Sequence, residues 1–157
     1  MLIESISQVI NQLIVLQTIY MIKRFVIYGL TGWILEIAFT GTTSILSGSP
    51  RLLGYTYLWM FPIYGMAVLL EPIHDRIRFS PWIIRGFIWA GIIFTIEYLS
   101  GWILQAAIGV CPWDYTNRTP YSIDGFIRLD FLPAWFLAGL LFERLHDYLI
   151  TVQARIK

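Results

Sequence analysis

Cysteine, histidine and charge are scarce in this chain, and each scarcity excludes a class of protein. Cys111 is the single cysteine among 157 residues, so no intrachain disulfide forms. With only His74 and His146 beside it, a cysteine-rich zinc site is excluded. Charged residues make up 13% of the chain against 57% hydrophobic, and mean hydropathy is +0.67, outside the range of soluble domains. A net charge of +1 leaves no basic face for nucleic acid. The opening Met1 to Ser7 lacks a basic n-region and a small-residue cleavage site, so no removable signal peptide is read and nothing suggests secretion. No cofactor motif is present. There is no Walker glycine loop either, so any ATP dependence requires a separate ATPase subunit.

What the chain does have is long apolar windows. Those at about 25–46, 55–75, 82–108 and 130–150 each approach or exceed the ~20 residues that a membrane helix needs. The expected fold is an all-α membrane protein, a four-helix transmembrane bundle over residues 25–150 with a cytoplasmic tail at 151–157. Ahead of it, residues 1–24 read as an amphipathic, interfacial helix, with Ile3, Ile6, Ile10, Leu13 and Leu16 set against Glu4, Ser7, Gln8, Asn11 and Gln12. A helix packed on the soluble side of the bundle gives the same pattern. Lys23, Arg24, Arg76, Arg78, Arg85, Arg144, Arg155 and Lys157 fall on one side, and Arg51, Arg118 and Arg128 on the other. The positive-inside rule then puts both termini in the cytoplasm, the expected location being a bacterial inner membrane. The loop at about 109–129 lies outside. Its Asn117-Arg118-Thr119 fits a glycosylation sequon, followed by Pro120.

Every window contains a glutamate: Glu36, Glu71, Glu97 and Glu143. A charged group at the bilayer centre costs roughly 2.5 to 3.5 kcal/mol, so these acids are expected to face neighbouring helices. Small and polar residues share their faces, as in Gly29, Gly32, Glu36, Thr40 and Thr43, or Gly86, Ala90, Glu97, Gly101 and Gln105. Glu36 lies twelve residues from Arg24 and Glu97 twelve from Arg85, about 18 Å in each case, which sets the two level near mid-membrane. Glu143 is about 20 Å from Asp130, in the middle or inner half, and Glu71 is only about 8 Å from Arg76. Two level acids predict a shared cavity. Each is expected to be protonated, cation-bound or hydrogen-bonded to indole and phenol groups.

Glu71-Pro72-Ile73-His74 and Glu143-Arg144-Leu145-His146 are both Glu-x-x-His. With Glu36 and Glu97 they supply the ligand types of a di-iron or di-manganese carboxylate bundle. Pro72 and the shallow position of Glu71 argue against that set, and the alternative leaves His74 and His146 as interfacial residues beside cationic side chains. In the outer loop Trp113 and Tyr115 suit a membrane interface, while Asp114 either caps a turn, pairs with Arg118 or forms an acid at the outer mouth.

Tyr28-Gly29-Leu30-Thr31-Gly32-Trp33-Ile34-Leu35-Glu36, Pro62-Ile63-Tyr64-Gly65, Glu97-Tyr98-Leu99-Ser100-Gly101 and Cys111-Pro112-Trp113-Asp114-Tyr115 together resemble the CmpB-like "putative ABC transporter type IV" proteins and their transmembrane-protein-229-like relatives. The similarity covers about residues 25–148. It implies a small multi-pass membrane protein and directs attention to Glu36, Tyr64, Gly65, Glu97, Trp113, Asp114 and Tyr115, without an established activity.

The leading functional expectation is a transport-related module in which Glu36, Glu97, Glu143 and Tyr64 contribute to a site for a cation, a proton or a polar substrate group, with Asp114 at its outer entrance. Four spans are few for a self-sufficient carrier, so a homo-oligomer or a partner membrane subunit is expected. A membrane-embedded, di-metal carboxylate enzyme is one alternative. A structural or assembly subunit is the other.

Overall fold

A computed structural model describes residues 2–156, with side chains from 6 to 155; Lys157 and the side chains of Ile3 and Glu4 lie outside that range. The chain is mostly helical and divides into two compact units, residues 1–71 and 72–157.

The first unit is dominated by α1, one continuous helix over Leu2–Leu46. No break separates the amphipathic segment from the first apolar window, because Lys23-Arg24 carries no helix-stop signal. The stop comes at Ser47-Gly48. Gly48 takes the left-handed conformation (φ +82°), its N–H reaches the Ile45 carbonyl at 2.8 Å, and the Ser49 N–H reaches Ser44 at 3.0 Å. That bond pair is a Schellman motif, which satisfies the carbonyls a helix end leaves open. The following stretch folds back on α1 through Thr40, whose hydroxyl donates to the Tyr55 carbonyl and accepts the Tyr55 N–H, both at 2.9 Å. Helix α2 covers Met60–Gly65 and packs on α1 through small residues. A Cβ on Gly29 would strike Phe61, one on Gly32 would strike Tyr64, and one on Gly65 would strike Phe25.

The window at 55–75 is therefore not one α-helix. Residues 52–57 form neither helix nor strand, with Leu52 at φ +49°, α2 passes into a 3₁₀ turn at Met66–Leu70, and α3 resumes at Glu71–Ile77. Pro72 explains the interruption: it offers no N–H to the carbonyl four residues back, and its ring crowds that carbonyl.

In the second unit α4 spans Trp82–Ile108 after Pro81 and ends where Gly109 takes φ +78° and its N–H caps the Gln105 carbonyl. Helix α5 covers Leu132–Ile156, with Pro133 in its first turn, where a missing N–H is harmless. Close approach of α4 and α5 again depends on glycine, Gly86 lying against Phe136 and Gly139 against Trp89. The intervening loop contains a short antiparallel hairpin that the all-α expectation does not include: β1 Ser122–Ile123 pairs with β2 Ile127–Arg128 in the register Ser122↔Arg128 and Ile123↔Ile127. Asp124 and Gly125 both take positive φ in its turn, which favours an Asp-Gly sequence.

Among the described residues two helices, α1 and α4, are long and apolar enough to cross a membrane. Burial is inverted relative to a soluble domain. Phe87, Trp102 and Leu137 are exposed by 55–60%, whereas Glu97, Glu143, His74 and His146 are buried to 8% or less.

Candidate functional site

Glu36 and Glu71 both belong to the first unit, in unlike surroundings. Glu71 meets Arg24 in a two-pronged ion pair, Nε to Oε1 at 2.7 Å and the second guanidinium nitrogen to Oε2 at 3.0 Å. The buried Tyr28 hydroxyl adds a third bond to Oε1 at 2.9 Å. Glu36 is half-buried, ten residues before the C-terminal end of α1. Its Oε2 accepts the Thr56 hydroxyl at 2.7 Å and the Tyr64 phenol at 2.9 Å, and among the described residues no basic side chain pairs with it. Gly32, one turn before Glu36, makes room for the Tyr64 ring. Glu71 is anchored to Arg24, which lies twelve residues and about 18 Å before Glu36 along α1.

The second unit contains the other two glutamates. Glu97 is buried, its Oε1 accepting the Tyr115 phenol and its Oε2 the Trp135 indole N–H, both at 3.1 Å. Glu143 accepts the Trp89 indole N–H at 2.8 Å and lies 3.1 Å from Arg85 Nε. Glu143 is thus tied to Arg85, twelve residues and about 18 Å from Glu97 along α4. Glu143, named with Glu97 among the candidate site residues, pairs with Arg85 near the start of α4.

The same distances decide the six-residue metal set. Glu36 and Glu71 are separated within one unit, as are Glu97 and Glu143 within the other, so the structure does not assemble a dinuclear site from Glu36, Glu71, His74, Glu97, Glu143 and His146. His74 and His146 are both buried, and their rings cross edge to face with centroids 5.2 Å apart.

In the outer loop the roles of neighbouring residues separate. Asp114 is exposed and closes an Asx turn, its Oδ1 accepting the Thr116 N–H at 2.8 Å. Hydrogen bonds from the Thr116 hydroxyl and backbone hold its carboxyl below the usual range. Asp130 forms a hydrogen-bonded ion pair with Arg128 at 2.6 Å. Trp113 is buried beneath the hairpin, its indole donating to the Phe126 carbonyl at 3.1 Å, so it anchors the loop from inside. It is Tyr115, not Asp114, that reaches Glu97. Arg128 lies over the rings of Tyr115 and Phe131 at 5.7 and 4.3 Å, holding the aromatic wall beside that carboxylate.

Sequence reasoning misses Thr56, Trp89 and Trp135 as partners of these acids, and Asp147 as a partner of His74 and Arg78. Thr56 is in an irregular stretch with no periodicity to place it, and Trp135 lies 38 residues from Glu97 along the chain. Asp147 has one available signal, its position a single turn beyond Glu143.

No solved structure matches the chain. A family model described as "Putative ABC-transporter type IV" matches residues 23–156, nearly the whole sequence and all of the glutamates above. The chain belongs to this putative ABC-transporter type IV family.

Proposed function

We propose that this chain is a multi-pass membrane module of a transport system, crossing the bilayer along about 25–46, 55–75, 82–108 and 130–150 with both termini in the cytoplasm, and that Glu36 and Glu97 bind a cation, a proton or a polar group of the transported substrate. The observation that carries this reading is the difference in partners between Glu36 and Glu71. Glu71 has a guanidinium and needs nothing more. Glu36 has two neutral hydroxyl donors in an apolar segment. A carboxylate there remains undercompensated, and taking up a proton or a cation relieves it. Glu97, which accepts from a phenol and an indole with the Arg128 guanidinium as a nearby positive charge, is the candidate acid of the second unit. Tyr64 and Tyr115 act as positioning donors that can re-aim towards a bound group.

The family description supports the transport context. Lacking a phosphate-binding glycine loop, the module draws any ATP-derived work from a separate ATPase subunit. The test is proton and monovalent-cation uptake into liposomes carrying the protein with its co-purifying partners. Glu36→Gln and Glu97→Gln are expected to abolish uptake at normal expression. If both variants fold, capture the same partners and transport as the parent does, the carboxylates are packing elements and the module is an assembly subunit.

A further inference from the structure

Helix α5 places Glu143, His146 and Asp147 within a single turn, with steps of three and four residues from Glu143. His74 of α3 faces that turn, and one ligating atom from each of His74, His146 and Asp147 lies within 4.8 Å of the other two. His74 Nε2 stands 3.1 Å from Asp147 Oδ1. Both imidazoles are buried, whereas the Asp147 side chain is half exposed, so the cluster has a polar wall inside and an opening to solvent.

We propose that His74, His146 and Asp147 form a mononuclear site for a divalent transition metal of the zinc class. This reading does not depend on the transport proposal. It also differs from the dinuclear carboxylate set, because Asp147 enters as a ligand and Glu36, Glu71 and Glu97 take no part. Two imidazoles and a carboxylate match the donor preference of zinc and its neighbours, and three protein ligands leave a fourth position for water. Tetrahedral donors about 2.1 Å from one ion stand about 3.4 Å apart. His74 and Asp147 stand 3.1 Å apart, close to that spacing, and a His146 ring nitrogen lies within 4.8 Å of both ligating atoms.

An independent observation comes from behind His74. Its Nδ1 is buried without a hydrogen-bond partner among the described residues, yet lies 3.4 Å from Glu143 Oε1. Glu143 is itself held by Trp89 and Arg85. A histidine that ligates through Nε2 must carry its proton on Nδ1, and a carboxylate at that position fixes the tautomer and ring orientation. Glu143 therefore supports the site from outside the ligand set. Arg78 is the competing cation, donating to Asp147 Oδ1 at 2.8 Å. It is 41% exposed and has Asp75 at 3.7 Å as an alternative partner, so an incoming metal displaces it. The bound ion would staple the His74 turn of α3 to α5.

The experiment uses tag-free, full-length protein in detergent, with Co²⁺ and Cu²⁺ as spectroscopic probes and Zn²⁺ as competitor. One equivalent of Co²⁺ is expected to bind with the intense ligand-field bands of a four- or five-coordinate ion and to be displaced by Zn²⁺. Asp147→Asn, a change at a half-exposed position, is expected to weaken binding at least about tenfold with the helical content unchanged. Loss of a single ligand is at least as costly as loss of an outer partner, itself about 10- to 100-fold. Because the chain has only two histidines, pulsed electron-spin measurements on the Cu²⁺ form count them directly. Two coordinated imidazoles support the site even if a variant fails to fold. Absence of saturable binding by the folded parent overturns the proposal, as does coordination by one imidazole or none, or equal affinity in folded Asp147→Asn.

Discussion

Glu36 and Glu71 carry the same side chain in one compact unit, and the difference between them is electrostatic. Replacing Glu71 by glutamine leaves the Arg24 guanidinium without its carboxylate. The expected loss is on the order of 3 kcal/mol, since removing one partner of a buried pair exposes the other to an uncompensated desolvation cost. Replacing Glu36 by glutamine keeps a carbonyl oxygen for the Thr56 and Tyr64 hydroxyls, so the expected change is within about 1 kcal/mol. Denaturant unfolding in detergent, followed by circular dichroism, measures both; equal losses would erase the distinction on which the functional reading rests. The sequence already showed that these acids differ, because Glu71 lies near Arg76 and Glu36 does not lie near any base. It did not show which base neutralises Glu71, because Arg24 is 47 residues away and only the fold-back of the chain unites them. Arg85 is the opposite case: read as an anchor at the membrane edge, it turns inward to Glu143, and spacing along a helix contains no information about which way a long side chain turns.

Helix limits were legible wherever a local stop signal exists and illegible where none does. The windows that end at about 46 and 108 stop where Gly48 and Gly109 take positive φ, the one that opens at 82 follows Pro81, and Pro72 marks the break in the second window. The junction near residue 24 was read from a change in amphipathic pattern, which alters the surroundings a helix prefers but does not terminate its hydrogen bonds; α1 runs through it. Glycine content, by contrast, was read correctly as a packing device but without its selectivity. Gly139 lies against the first side-chain carbon of Trp89, an atom fixed by the α4 backbone, so Gly139→Ala cannot be relieved by a rotamer change. A destabilisation of about 1 to 3 kcal/mol is expected from overpacking. Gly91, in the same unit, has nothing within 4 Å of an added Cβ. Gly91→Ala should stabilise by up to about 1 kcal/mol through helix propensity. Thermal unfolding of the two variants side by side checks the contrast, and destabilisation by both would mean that the exposed face around Gly91 is covered in the working assembly.

For the whole molecule, composition identifies lipid as the natural solvent, and the inverted burial gives that conclusion a physical form, but neither counts the crossings. Helix α1 is 45 residues long, about 68 Å, more than twice the ~30 Å of a hydrocarbon core. The part after Arg24 is long enough to cross, while residues 6–19 remain exposed and rich in Ile, Val and Leu, as expected of a segment lying in the interface or against a partner. The proposed topology assigns sides to three exposed positions of the second unit: Phe79, in the turn before α4, and Ala154, near the end of α5, to the cytoplasm, and Asn117, in the loop before the hairpin, to the outside. Single cysteines at each, treated on intact cells with a membrane-impermeant maleimide, should give labelling of Asn117→Cys at once and of Phe79→Cys and Ala154→Cys only after lysis. The native thiol adds little background, because Cys111 is 4% exposed and burial pushes its pKa up, leaving less reactive thiolate. Labelling of Phe79→Cys together with Asn117→Cys would show that α4 does not cross, despite its length. Labelling of Ala154→Cys together with Asn117→Cys, with Phe79→Cys still protected, would place the failure in α5, whose interior Glu143, Arg144 and Asp147 make it the costliest of the four segments to insert.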